Sequence, residues 1–182
     1  AVAEFACSVG LKPDDVAGFI AASRGNHAGI MDFLRGASRK GYTGRALQLL
    51  AALSEKDLRD TPSAVLTDHL YNTDKDADAA TVLAPRVADE MLTPYRSFLQ
   101  REIPTADAAA FRRDPQRLAA WCRDSLTLRP ELCTVSTTIS PEGVWRSRTA
   151  DKPSRAIFFV AAARSLGIPA WIDRVTGNLF YR

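Results

Sequence analysis

Apolar residues recur at intervals of three and four through much of the chain before residue 128. The segments TGRALQLLAAL (residues 43–53) and DPQRLAAWCRDSL (residues 114–126) show this spacing, with polar residues between. Such spacing places the apolar side chains on one face of a helix. We therefore expect about seven short helices over residues 1–128, joined by polar turns.

Several positions carry the signature of a helix N-terminus. Ser54 with Asp57 resembles a weak capping box, and in four other places a serine, threonine or aspartate stands directly before a proline. The first side chain can accept a backbone N–H, and proline is tolerated at the first helical position, where its missing N–H would be unpaired anyway. The four pairs are Thr61-Pro62, Thr93-Pro94, Asp114-Pro115 and Ser140-Pro141.

The pattern changes after Arg129-Pro130. CTVSTTI (residues 133–139) predicts a strand, and SPEGVW (residues 140–145) predicts a short helical turn. Residues 153–166 are apolar on nearly every face and predict one buried helix. We expect Lys152 to be its N-cap and Gly167 to end it, because Pro169 prevents continuation.

The last residues predict a hairpin. Trp171–Val175 and Leu179–Tyr181 read as two strands around a turn at Thr176-Gly177. The expected fold class is therefore mainly α with a small β part (α+β). A two-stranded hairpin is marginally stable alone and leaves an unpaired edge. We expect residues 169–182 to pair with a remainder of the chain or with a second copy.

The amino-acid composition argues against several classes of function. The 182 residues are 46% hydrophobic and 25% charged, with a net charge of +3. This small charge argues against nucleic acid or an anionic membrane as partner. No run of about 18 apolar residues occurs, so we expect no membrane span. No cofactor is expected.

No metal site is expected from the cysteines and histidines. The cysteines have no CxxC spacing, and His27 and His69 do not cluster with them. We interpret the cysteines as buried or free thiols, with a Cys122–Cys133 disulfide left open. The three cysteines are Cys7, Cys122 and Cys133.

The loop YNTDKDADAA carries aspartates at alternate positions. Asp74, Asp76 and Asp78 are spaced as in a calcium loop, but the glycine and distal glutamate of an EF-hand are missing. We interpret the segment as a solvated loop.

The stretch AIFFVAAARSLGIPAW (residues 156–171) resembles the core helix and following strand of the transglutaminase-like superfamily, which has a papain-like fold. That family shows a cysteine, an alanine four residues later, and an apolar stretch ending in Arg-x-Leu-Gly-Ile-Pro-Ala-Arg. The resemblance covers residues 114–182, because DPQRLAAWCRDSLTL resembles the preceding helix. SEKDLRDTP and PRVADEMLTPYRSF are similar to a bacterial secreted group with a helical N-terminal region.

The resemblance carries expectations about domains and location. It implies a helical N-terminal domain over residues 1–128 and the beginning of a transglutaminase-like core over residues 129–182, continuing past Arg182. It also implies an exported protein, periplasmic or at the cell surface.

The family's catalytic residues do not match here. Counting back from Gly167, the cysteine position falls on Lys152, while Ala156 matches the family alanine. Trp171 replaces the motif's last arginine, and no histidine follows His69. Ser154 is the nearest hydroxyl but lacks a base.

These departures favour a non-catalytic binding or structural module of a larger exported bacterial protein. One alternative is an active transglutaminase-like or papain-like hydrolase whose remaining catalytic residues lie beyond Arg182. Another is a helical scaffold on which the last fifty residues dock. Trp145 and Trp171 are candidate stacking residues for a carbohydrate or peptide, although such residues are more often core or interface.

Overall fold

The structure is a computed structural model that describes residues 1–134 and 137–182, with the backbone alone described at residues 133 and 134. It is 65% helix and 6% strand. This confirms the predicted fold class, mainly α with a small β part.

The chain divides into two compact units, Ala1–Tyr71 and Asn72–Arg182. The first unit is helical. Its helices are α1 (Val2–Ser8), α2 (Pro13–Ser23), α3 (His27–Arg39), α4 (Thr43–Ala51), α5 (Glu55–Asp60) and α6 (Ser63–Tyr71), with a 3₁₀ turn at Arg24–Asn26. The expected boundary at residues 128 and 129 falls within the second unit and stays a prediction about family domains.

The second unit contains the remaining helices and all four strands of the described chain. The helices are α7 (Tyr95–Glu102), α8 (Thr105–Arg113), α9 (Pro115–Ser125), α10 (Pro141–Ser147) and α11 (Lys152–Ser165), with a π turn at Ala79–Leu83 and a 3₁₀ turn at Pro130–Thr134. The strands are β1 (Thr127–Leu128), β2 (Thr149–Ala150), β3 (Ala170–Ile172) and β4 (Leu179–Tyr181). β1 pairs with β2 in parallel, and β3 pairs with β4 in an antiparallel hairpin.

Helix α11 lies in the core of the second unit. It packs against α7, α9, α10 and β3. Phe158 is 0% exposed and Phe159 is 3% exposed. Because neighbours cover several sides, an all-round apolar sequence is stable here. The predicted buried helix over residues 153–166 is confirmed, with its last helical residue at Ser165 rather than Leu166.

The N-cap of α11 is Asp151, and the prediction of Lys152 was wrong. The Asp151 carboxylate accepts the N–H of Ser154 at 2.7 Å, which places Lys152 in the first turn. An aspartate accepts this N–H, whereas a lysine side chain has no acceptor. The predicted stop is confirmed, because Gly167 has a φ of +81° and follows the last turn.

Two of the four predicted capping pairs act as predicted. Asp114 accepts the N–H of Gln116 and Ser140 accepts that of Gly143. Thr61 and Thr93 do not cap, and their buried hydroxyls have no hydrogen-bond partner within the described residues.

The strand predictions need two corrections. The segment 133–139 begins as the end of a 3₁₀ turn and has no regular structure at 137–139, while residues 135 and 136 lie outside the described residues. The first hairpin strand ends at Ile172 instead of Val175. The Asp173 carboxylate accepts the N–H groups of Val175 and Thr176, which turns the chain early.

Candidate functional site

An open groove lies at the N-terminal end of α11, within the second unit. Its volume is about 910 Å³. Its walls come from α9, from the first turns of α11 and from the β3–β4 turn. The lining residues are Asp114, Gln116, Arg117, Ala119, Ala120, Cys122, Arg123, Lys152, Arg155, Ala156, Phe159, Thr176, Gly177, Asn178 and Leu179.

Local sequence signals fix each wall of this groove. Asp114 starts α9 and Asp151 starts α11. Asp173 closes the hairpin turn, in which Gly177 has a φ of +70° that glycine adopts without steric cost. The groove therefore sits where two helix starts and one tight turn converge.

The groove is cationic. Four basic side chains line it against one carboxylate, that of Asp114. Arg117 lies 3.9 Å from that carboxylate, and Arg123 makes two hydrogen bonds to Asp124, at 2.8 and 3.1 Å. Two of the four cations thus have acidic partners on their own helix or at its cap.

Lys152 and Arg155 are the other two cations. Neither side chain makes a hydrogen bond or ion pair with any residue that the structure describes. Arg155 is half-buried and Lys152 is exposed. They are three residues apart on α11, a spacing that puts side chains on the same helix face. Positive charge is therefore uncompensated on this wall.

Ser154 does not line the groove. The residue is fully buried, and its Oγ accepts the N–H of Ile139 at 2.9 Å. This contact ties the segment before α10 to the first turn of α11. The hydroxyl is thus engaged in a structural hydrogen bond, and a nucleophilic role for Ser154 stays a prediction without support from this geometry.

Among the cysteine side chains that the structure describes, Cys122 lines the groove. It is a buried free thiol, and this burial raises its pKa from 9.0 to about 12 although Arg155 opposes the shift. A thiol in this state is protonated and poorly nucleophilic at neutral pH. Cys7 is an exposed free thiol, and the side chain of Cys133 lies outside the described residues.

The second unit contains no histidine, since His27 and His69 both belong to the first unit. His27 is exposed and hydrogen-bonds through Nδ1 to the Arg24 carbonyl at 2.8 Å, while His69 is buried. Neither residue lines the groove. Within the second unit as the structure describes it, no histidine is therefore available as the usual general base of a cysteine or serine nucleophile.

The two candidate stacking residues, Trp145 and Trp171, do not line the groove. Trp145 is 9% exposed and stacks on Trp121 at 5.3 Å, with the Arg148 guanidinium 3.8 Å above its ring. Little of its ring is accessible to a ligand.

Trp171 is half-exposed on the hairpin. It stacks on Phe180 at 5.7 Å, and Phe180 is 44% exposed. A ligand-binding role for Trp145 and Trp171, like association through residues 169–182, stays a prediction.

Arg164, the motif's first arginine, is buried and has a structural role. It donates to the carbonyls of Ala84, Arg86 and Ala170 at 2.8–3.0 Å, and burial lowers its pKa. The buried Arg96 donates to the carbonyls of Val82 and Arg164. These bonds satisfy backbone groups of an irregular segment before α7 and fix it against α11.

The aspartate loop gives no metal site. Asp78 caps the π turn through the N–H and hydroxyl of Thr81, and these bonds lower its pKa. Within residues 1–134 and 137–182 no three His, Cys, Asp or Glu side chains come together in a way that could bind a metal.

Sequence reasoning missed Arg155, Arg117 and Arg123 as groove residues. A signal existed for Arg155, because it stands one helical turn after Lys152. No such signal linked α9 or the residues at Thr176–Leu179 to Lys152, since tertiary packing alone brings them together.

Comparisons with protein-family models, curated proteins and solved structures give no match for this chain. In the part of the chain that the structure describes, no helix has the length and apolar character needed to cross a bilayer.

Proposed function

We propose that the second unit is a non-catalytic transglutaminase-like binding module of a larger exported bacterial protein. The observation that carries this proposal is Lys152. It occupies the position of the family's nucleophilic cysteine and opens onto a groove of about 910 Å³. The groove lies where the resemblance places the family's active site, and it has space for a ligand of moderate size.

Three features support binding rather than catalysis. The thiol at the groove, Cys122, is buried and protonated at neutral pH. Ser154 is hydrogen-bonded to the backbone. No histidine belongs to the unit. Nucleophilic acyl transfer needs an activated nucleophile and a base, and the described residues that line the groove supply neither an activated thiol nor a histidine.

The proposal is tested by assaying the full chain with amine donors and glutamine-containing peptides, and by treating it with thiol-directed active-site probes. We expect no turnover, and labelling of Cys7 rather than of Cys122. The Cys7→Ala variant serves as the control, since it removes the exposed thiol and leaves the groove intact.

Turnover that is lost in Cys122→Ala but kept in Cys7→Ala would contradict the proposal. Turnover lost in a Lys152→Gln variant would also contradict it, because it would make Lys152 a catalytic amine.

A further inference from the structure

The unpaired cations of the groove identify the chemistry of its ligand. Lys152 and Arg155 line one wall, one helical turn apart, and neither has an acidic partner among the described residues. Arg155 is half-buried, and holding a charge partly out of water without a counter-ion is costly. An anion placed between these two side chains would offset that cost.

The surroundings favour an anion with an apolar body. Leu179, Ala119 and Ala120 contribute apolar surface to the same groove, whereas Phe159 lines it but is only 3% exposed. A small, fully hydrated anion gains nothing from such surface, whereas an organic acid buries its carbon skeleton there.

Two backbone N–H groups at the start of α11 already have hydrogen-bond partners, so an anion there would have to be bound by side chains. The N–H of Ser154 donates to the Asp151 carboxylate, and the N–H of Arg155 donates to the Asp151 carbonyl. The first turn of α11 is therefore already capped by the protein's own acid. This argues against a phosphate held by main-chain N–H groups, the usual arrangement at a helix start. The guanidinium fork of Arg155 matches a planar carboxylate in two parallel hydrogen bonds.

We propose that the groove binds a carboxylate, with Arg155 as the primary anchor, Lys152 as the second cation and Leu179 against the ligand's apolar part. This inference rests on the proposed function and names its ligand class. The carboxylate can come from the C-terminus of a peptide or from a sugar acid. Titration with a peptide acid and with a sugar acid separates these two sources.

The test is isothermal titration calorimetry on the full chain. The probes are N-acetyl-alanyl-phenylalanine as free acid and as C-terminal amide, glucuronate and glucose, and inorganic phosphate. We expect at least one acid to bind with a dissociation constant of about 1 mM or tighter. Its neutral counterpart should bind about tenfold more weakly, because a charge-assisted hydrogen-bond pair is lost.

Variants locate the bound acid in the groove. Arg155→Gln should weaken its binding about tenfold, and Lys152→Gln should weaken it less, since Lys152 is the more exposed cation. Arg101→Gln is the matched control. Arg101 is an exposed arginine of α7 that does not line the groove, and its loss should leave binding unchanged. Circular dichroism of each variant verifies that the helices remain.

Peptide-acid binding without glucuronate binding assigns the carboxylate to a peptide end, and the reverse assigns it to a sugar acid. Equal binding of acid and neutral counterparts would overturn the carboxylate inference, yet leave a non-catalytic binding module standing. Phosphate binding tighter than either acid, an equal loss in Arg101→Gln, or no binding of either acid would also overturn it. Turnover of a probe would instead contradict the proposed function.

Discussion

Single side chains explain why α11 is buried and why its front end is open. Phe158 has no exposed surface and contacts the rings of Trp121 and Trp145. Arg155, three residues earlier, lines the groove without an acidic partner among the described residues. Within one turn, α11 therefore changes from a helix that lines an open groove to one that is fully buried.

Phe158→Ala should lower the free energy of unfolding by about 3–5 kcal/mol, because it leaves a cavity among packed rings. Met91→Ala is the control. Met91 is 71% exposed, and its loss should change stability by less than about 0.5 kcal/mol. Urea unfolding followed by circular dichroism measures both values. Similar small effects in both variants would show that Phe158 is not packed as described.

The buried thiol of Cys122 should make stability fall in alkali. Burial raises its pKa from 9.0 to about 12, so above pH 9 the unfolded thiol ionises while the folded thiol stays protonated. The stability that the protonated Cys122 thiol contributes to the folded state is fully present below pH 9 and is lost as pH rises towards 12. Between pH 8 and pH 10 the loss should be about 1 kcal/mol.

In the Cys122→Ala variant, the free energy of unfolding should not show this loss between pH 8 and pH 10. Tyr71, whose pKa burial also raises, is present in both proteins, so its effect cancels in the comparison. The test compares the free energies of unfolding of the two proteins at pH 8 and at pH 10. Identical pH slopes in the two proteins would mean that Cys122 is not buried as the structure shows.

At the scale of elements, the sequence predicted features with a local cause. Asp114 and Ser140 cap helices because their side chains reach N–H groups two or three residues ahead. Thr61 and Thr93 have similar sequence signals, but tertiary packing buries their hydroxyls. Lys152 was predicted as the cap of α11 because Pro153 follows it and proline is favoured at the first helical position. The helix begins one residue earlier, at Lys152, and capping chemistry favours Asp151.

The hairpin turn depends on the backbone freedom of Gly177. Its φ of +70° is unfavourable for any residue with a Cβ, even though the space around it is open. Gly177→Ala should therefore lower the free energy of unfolding by about 1–2 kcal/mol.

Gly18→Ala is the matched comparison. Gly18 lies in the middle of α2 with open space around it and no positive φ. Alanine should therefore raise stability by about 0.5–1 kcal/mol there. Thermal unfolding of both variants measures the sign of each change in stability. Stabilisation by Gly177→Ala would contradict the described turn.

At the scale of the whole molecule, the groove depends on contacts that periodicity does not reveal. Periodicity and caps indicated α9, α11 and the hairpin separately. No pattern in the sequence indicates that Arg117 and Asn178 line the same groove as Lys152. Only the resemblance pointed to the start of α11 as a site. The charge at that site is uncompensated because the side chains of Lys152 and Arg155 have no acidic partner among the described residues.

The central claim is that this groove binds without reacting. The most direct test records ¹H–¹⁵N NMR spectra of the full chain during separate titrations with N-acetyl-alanyl-phenylalanine and with glucuronate, while the ligand's own resonances are followed in the same tube. With at least one of the two acids, we expect the amides of Arg155, Asn178 and other groove residues to shift, with the ligand unchanged. Conversion of the ligand, or shifts confined to residues around Trp171 and Phe180, would contradict the claim.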